Sequence, residues 1–496
     1  MVPKAFSQFN SDDRFPVLRV RSSRAIVFVV LLCMGRATPQ NAPLSADRAW
    51  SAPMNLKIEE AAKRTPDSIS AIDSSRTYSL PELIDLAESH NPVTRVAWQH
   101  ARAQAMALGI ARGELYPTLA AAALSETSRS EVFFGGQFYK QVAQGFEVAL
   151  DLNYTVFDFG TRSGRINAAS AELLAANFAF NDTHRNLIFQ VQTAYYRLLT
   201  SIGEEDAAKA SLANAQAVEQ AAEDRLTHGL ATLPDVLETR SATAEAEYEL
   251  QSVLGAEQIA AGDLATAIGA RATTAIRVQS LEDVPTREAI ADTVEQATDR
   301  ALGERPDLMQ QVAAIRSANA RVKEARAAYY PSLDLNVRPA MPYLYGLQEP
   351  SPWAHASDMT GSVALHLQWT VFDGGVRKNH VAEAQAELRG AEALADVKRN
   401  QIGNEVWRAY SNLNTAFRKR QAAVALLEAA SQSYDAALES YKYGVRSLLD
   451  VTAAQRTLAQ ARSSDVSSRT HVLTALAELA FSVGDSIQTN RSRSHP

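Results

Sequence analysis

The sequence predicts a mostly helical membrane protein in which long antiparallel coiled-coil helices alternate with short β-strands. Three observations predict it. The chain is written twice, each copy holds a very long proline-free heptad stretch, and each copy holds strand-length segments that alternate apolar and polar residues.

The duplication is read from ordered pairs. Leu115-Tyr116-Pro117-Thr118-Leu119 returns as Tyr329-Tyr330-Pro331-Ser332-Leu333, and Tyr154-Thr155-Val156-Phe157-Asp158-Phe159-Gly160 returns as Trp369-Thr370-Val371-Phe372-Asp373-Gly374-Gly375. Asn91-Pro92 matches Arg305-Pro306, Gly229 with Leu233 and Asp235-Val236 matches Gly444 with Leu448 and Asp450-Val451, and Ile268-Gly269 matches Val483-Gly484. The offset is 214 for the early pairs and 215 for the later ones, so a single-residue indel separates two copies of one unit. The copies span residues 78–284 and 285–484. Residues 38–77 read as a flexible extension, Arg271 to Pro285 as a linker, and residues 485–496 as a polar tail.

Each copy has four parts in the same order. The first is a helix that opens, in copy one, at Ser79-Leu80-Pro81-Glu82 and ends before Pro117. Ser79 and Glu82 have capping-box spacing, and Pro81 falls in the first turn, where its missing N–H is harmless. The second is a pair of strands. From Gly145 to Phe157, Phe146, Val148, Leu150, Leu152, Tyr154 and Val156 face one way, against Glu147, Ala149, Asp151, Asn153 and Thr155. Copy two sets Val363, Leu365, Leu367, Trp369 and Val371 against Ala364, His366, Gln368 and Thr370, and its earlier strand begins Leu333-Asp334-Leu335-Asn336-Val337-Arg338. Gly135-Gly136 and Pro339 to Trp353 read as the loops.

The third part is a long helix, Arg162 to His228, with a seam through Ile166, Ala169, Leu173, Ala176, Phe180, Leu187, Val191, Ala194 and Leu198. His184 lies on that seam and reads as a packed residue, not a ligand. Copy two repeats it from Arg377 to Tyr443, with Ile402, Val406, Ala409, Leu413 and Ala416. The fourth part is a returning helix, Leu233 to Ile268 and Leu448 to Val483, with Gly229 and Gly444 at the hairpin tips.

The N-terminus reads as an export signal. Arg19, Arg21 and Arg24 precede an apolar run from Ala25 to Gly35, too short to span a bilayer, and Gly35-Arg36-Ala37 offers a cleavage site. Cleavage there removes the only cysteine, Cys33, and leaves 43 basic and 54 acidic residues, net −11, a poor balance for binding nucleic acid. No uninterrupted apolar stretch reaches the length of a transmembrane helix.

Two strands per copy make four per chain, and four strands cannot close. An open sheet edge cannot sit in lipid, so several chains must pool their strands. Two chains give eight strands with a filled interior and three give twelve with room for a pore, and the sequence by itself does not choose between them. The polar faces, Glu147, Asp151, Asn153, His366 and Gln368, suit a wet barrel lumen.

Over nearly all of residues 78–484 the chain resembles the TolC family of outer-membrane factors. The resemblance rests on the duplicated helix–strand–strand–helix–helix order, Asn91-Pro92, the Tyr-Pro-Thr-Leu and Tyr-Pro-Ser-Leu turns, Val371 to Gly375, and the hairpin pattern Tyr441 to Val451. It implies a homotrimer with a 12-stranded β-barrel in outer-membrane lipid and an α-helical periplasmic tunnel. It also implies passive export as the exit duct of a tripartite efflux pump or type I secretion system, with a periplasmic adaptor and an inner-membrane pump as partners. Some relatives carry a lipidated cysteine after small residues, but Leu31 and Leu32 precede Cys33, so lipidation is not expected. By motif match the gate residues are Tyr441, Arg446 and Asp450, with Asp235 as a partner on the outer coil. Ala453 stands where the family often has a second aspartate. Arg225, Leu226, Gly229 and Gly444 match the tips that meet the adaptor.

Two other classes compete with this reading. An enzyme would need a reaction centre, and the chain has no Walker A, G-x-G-x-x-G, G-x-S-x-G or H-E-x-x-H motif, so no cofactor, metal or catalytic residue is expected. A secreted coiled-coil scaffold or periplasmic adaptor would explain the helices but not four strands of membrane length.

Overall fold

The computed structural model describes residue 61 and residues 72–73, 75–279, 293–348 and 353–485. The chain divides into two units, Met1–Asp67 and Ser68–Pro496, and the elements below belong to the second. The export signal, Cys33 and most of the polar tail lie outside the described residues.

The first repeat runs β1 (Thr77–Tyr78), α1 (Leu80–His90), α2 (Pro92–Gly113), β2 (Thr118–Phe134), β3 (Gln137–Phe157), α3 (Thr161–Thr227) and α4 (Leu233–Ala267). The second runs β4 (Arg277–Val278), α5 (Val294–Glu304), α6 (Pro306–Ala327), β5 (Ser332–Gln348), β6 (Ala354–Ser357), β7 (Thr360–Gln368), α7 (Val376–Lys442) and α8 (Leu448–Val483). No described helix is long and apolar enough to cross a membrane.

The first helix of each copy is two helices, not one. The break falls at Asn91-Pro92 and at Arg305-Pro306, because a residue before proline is pushed out of the helical region. Asn91 closes one helix and opens the next. Its Oδ1 accepts from Val93 N at 2.9 Å, and its Nδ2 donates to the Ala267 carbonyl at the end of α4, at 2.8 Å. The capping box of Ser79 and Glu82 forms as the sequence predicts. Thr77–Tyr78 pairs in parallel with Arg277–Val278, so the end of the expected extension and part of the expected linker carry a two-stranded ladder. Two-residue strands have no period to read.

The strands outrun the sequence reading. β2 is 17 residues and β3 is 21, joined at Gly135-Gly136. β5 continues through Pro339 to Gln348, a stretch expected to be loop. Pro339 and Pro342 mimic a break, yet Pro342 sits where β6 and β7 separate at Asp358–Met359, so one side of β5 has no partner there to miss its N–H. The sheet order is β2–β3–β5, with β6 and β7 both on the far side of β5, all antiparallel. Its outer edges, along β2 and along β6 and β7, are unpaired.

The coiled-coil expectation holds in the middle of α3, where Leu187, Val191 and Leu198 are buried, and in α7, where Ile402, Val406, Ala409, Leu413 and Ala416 are. Near the start of α3 the buried line runs through Gly164, Ala168 and Ala171 instead; of the expected seam there Ala176 is buried, while Ile166, Ala169, Leu173 and Phe180 are half-buried. The reason is close approach of α6. A Cβ on Gly164 would lie 2.8 Å from Glu324 Cβ and 2.9 Å from Glu324 N. Gly164→Ala is therefore expected to destabilise the fold by about 1–3 kcal/mol, from overpacking. Thermal unfolding of the variant checks it, and an unchanged midpoint would contradict the close packing.

Candidate functional site: the hairpin tips and the polar sheet face

The two helical hairpins turn by the same chemistry. At each tip a glycine with positive φ, +72° at Gly229 and +78° at Gly444, lets the chain reverse. Gly229 N donates to Leu226 O and Leu230 N to Arg225 O at 2.8 Å, while Gly444 N donates to Tyr441 O and Val445 N to Ser440 O, also at 2.8 Å. The returning helices then open on capping boxes. Thr232 Oγ1 donates to Asp235 Oδ2 at 2.7 Å, and Ser447 Oγ donates to Asp450 Oδ2 at 2.8 Å. These hydrogen bonds from Thr232 and from Ser447 hold both carboxyls below the ordinary aspartate value, so both are charged at neutral pH.

The tips are joined across the repeats by Arg225. Its Nη1 donates to the Tyr441 carbonyl at 2.6 Å, its Nη2 to the Leu230 carbonyl at 3.1 Å, and its guanidinium lies 4.8 Å from the centre of the Tyr441 ring. Tyr441 is buried, and its hydroxyl has no hydrogen-bond partner among the described residues. Burial pushes that hydroxyl above the ordinary tyrosine value, so it is a neutral donor. Asp235 is close enough to both to act on them electrostatically, whereas Arg446 is exposed and acts on Asp450. The structure thus groups Tyr441 and Asp235 with Arg225, and Arg446 with Asp450. Motif matching placed Arg225 only among the docking residues. A guanidinium bonded to carbonyls of both hairpins leaves no spacing signal.

The expected lumen residues share one sheet face. Asn153 lies opposite Thr118 and Asn336, His366 opposite Asp334, and Gln368 opposite Ser332. Arg338 Nη2 donates to Glu147 at 2.6 Å, and its Nε lies 3.6 Å from Asp151. Asp334, Asn336 and Arg338 belong to this face too, and their alternate spacing was the signal for them. The other face carries Phe146, Val148, Leu150, Val363, Leu365 and Leu367, all exposed in a single chain.

Sheet and helices are joined by one device used twice. Asp158 Oδ2 accepts from Arg162 N and Nε, both at 2.9 Å, and Asp373 Oδ2 accepts from Arg377 N at 3.0 Å and Nε at 2.6 Å. Each aspartate caps the long helix that follows its strand, which is what the repeated Val-Phe-Asp motif encodes. His184 bonds Glu88 at 3.1 Å and packs edge-on against Phe180.

A family model described as "outer membrane efflux protein" matches residues 83–270 and 297–485. The chain belongs to that family. It is 28% identical to Protein CyaE of Bordetella pertussis over 82% of this chain and 84% of that protein. It is 23% identical to Outer membrane protein OprJ of Pseudomonas aeruginosa over 87% and 90%. The solved outer-membrane channel OprN shares the fold, with a TM-score of 0.73 at 20% identity over 85% of this chain and 97% of that one. The protein is an outer-membrane channel, an exit duct for efflux or secretion, in a family of transport proteins.

Proposed function

We propose that three copies assemble into a passive duct, with a 12-stranded barrel in outer-membrane lipid and the helices forming a tunnel in the periplasm. The observation that carries this reading is the four-line sheet, polar on one face, apolar on the other, and unpaired along both outer edges. Closing it with copies of itself satisfies the edges and puts the polar face around water. Twelve strands leave a lumen that eight would fill. Residues 1–37 act as the export signal, and the two repeats supply equivalent halves of each protomer.

The gate is at the hairpin tips. Tyr441, Arg446, Asp450 and Asp235, together with Arg225, hold neighbouring hairpins closed, and three Asp450 carboxylates ring the constriction and favour cations. Arg225, Leu226, Gly229 and Gly444 present the surface on which a periplasmic adaptor docks, and an inner-membrane pump supplies the energy. Outer membranes run on an unheated denaturing gel should show a band at the mass of three chains that heating converts to one. Recovery as a soluble monomer would overturn the duct.

A further inference from the structure

The apolar face of the sheet continues past the height of a membrane. On β3 that face is apolar at every position from Val156 to Phe146, counting Tyr154. These positions span 10 residues, and at about 3.3 Å per residue and a tilt of about 40° they rise roughly 25 Å, one lipid-facing band. An aromatic girdle marks the upper edge. Phe146 and Tyr343 have ring centres 6.5 Å apart, and Tyr345, opposite Gln144, stacks on Trp353 at 4.9 Å. Phe138 lies 8 residues beyond Phe146, so the β2–β3 hairpin carries this face roughly 20 Å further, away from the helices.

Above the girdle the same face sets Arg129 opposite Val142, Glu131 opposite Lys140, and Phe133 opposite Phe138. Phe133 and Phe138 are 61% and 71% exposed, with ring centres 4.9 Å apart. A phospholipid headgroup layer is only about 5–8 Å deep and would leave both rings in bulk water. A lipid whose headgroup is a chain of sugars would reach them. Arg129 and Lys140 are diagonal neighbours in the ladder, about 7–8 Å apart. Neither side chain has a hydrogen bond or ion pair among the described residues.

We propose that this face of the hairpin binds a phosphorylated glycolipid of the outer leaflet. Arg129 and Lys140 hold a phosphate from two adjacent strands, one as a planar fork and one as a point charge. Phe133 and Phe138 pack on the C–H faces of the sugars beyond it. Two cations against the single acid Glu131 leave the patch at net +1, the right sign for an anionic headgroup. The order along the face also matches the lipid. Apolar band, cations and rings meet acyl chains, phosphate and sugars in turn. Binding of this kind fixes the depth of the barrel in the membrane. The inference rests on the barrel proposed above, which turns this face to lipid.

Trimers purified from outer membranes and washed in mild detergent test this through the lipopolysaccharide they retain. Arg129→Gln with Lys140→Gln should retain about fivefold less than the unchanged protein. Phe133→Ser with Phe138→Ser should also retain less. Ser130→Ala with Gln141→Ala, at intervening positions on the lumen-facing side, should retain as much as the unchanged protein. A second measurement keeps all four binding residues and decides the matter if a double variant fails to assemble. Glu131→Cys in a Cys33→Ala chain should react with a charged maleimide several-fold more slowly in vesicles of phosphatidylethanolamine with lipopolysaccharide than in vesicles of phosphatidylethanolamine alone. Ser130→Cys should react equally in both. Equal retention by the arginine–lysine variant, or equal rates at Glu131→Cys, would overturn the inference while the trimer stands. Absence of trimers from the unchanged protein would overturn the barrel itself.

Discussion

Replacing Arg305 with methionine is expected to remove about 3–5 kcal/mol of stability, the effect of breaking a buried ion pair on one side. Arg305 is 2% exposed. It holds Asp307 with two hydrogen bonds, Nε to Oδ1 at 3.0 Å and Nη2 to Oδ2 at 2.7 Å. Its Nη1 donates to Glu405 at 2.6 Å and to the Ser482 carbonyl at 3.2 Å. Arg185, equally buried, donates to the Phe481 carbonyl at 2.9 Å and lies 3.7 Å from Asp307. Together the two arginines fasten the end of α8 to the helix break at Pro306. Removing Arg305 leaves the Asp307 carboxylate short of its main partner in a dry site. Denaturant or heat titration of the assembled protein measures the loss, and a midpoint within error of the unchanged protein would refute it.

The same cluster fixes a pH dependence. Burial pushes the Asp307 carboxyl up, but its hydrogen bonds and ion pairing with Arg305, aided by Arg185 and Lys398, outweigh this and hold it below the ordinary value of 3.8. A depressed carboxylate stabilises the fold fully above its unfolded value. That contribution is lost as pH falls through the folded value, so the loss lies in the acid range below about 4 and not near neutrality.

The second large effect is on the gate. Arg225→Ala with Arg446→Ala should open the tips, raising single-channel conductance and admitting large antibiotics. Each charge-assisted hydrogen bond from Arg225 contributes about 1.5–3 kcal/mol. Arg446 acts on the exposed Asp450 only through solvent-screened electrostatics and adds little by itself. Threefold repetition multiplies these terms, so the shift toward the open state should exceed roughly tenfold. Tyr441→Phe is the finer probe. The hydroxyl has no partner among the described residues, so its loss should leave protomer stability unchanged and act only on the closed assembly. Unchanged conductance and antibiotic entry in the arginine double variant would remove these residues from the gate.

Much of this protein is legible in its sequence because its signals are long and local. The 67-residue helices α3 and α7 were placed within one residue, since a heptad seam without proline can form little else. The hairpin tips were legible from Gly229 and Gly444 standing between two long helical stretches. The polar sheet face was legible from strict alternation, although Asp334, Asn336 and Arg338 joined it only once β5 was laid beside β3 and β7. What misled were the prolines. Pro92 and Pro306 break a helix that periodicity carries through, whereas Pro339 and Pro342 do not end β5: the β3 ladder skips only Arg338 and Pro339, and Pro342 faces the gap between β6 and β7.

The sequence by itself determined the duplication, the order of elements, and the need for further chains, since four strands with two open edges cannot close in lipid. Only the tertiary structure decided which charges meet. Arg225 reaches Tyr441 across 216 residues, and Arg305 reaches Ser482 across 177. Such pairings come from rigid helices being brought side by side at a set height, and one-dimensional spacing carries no record of that height.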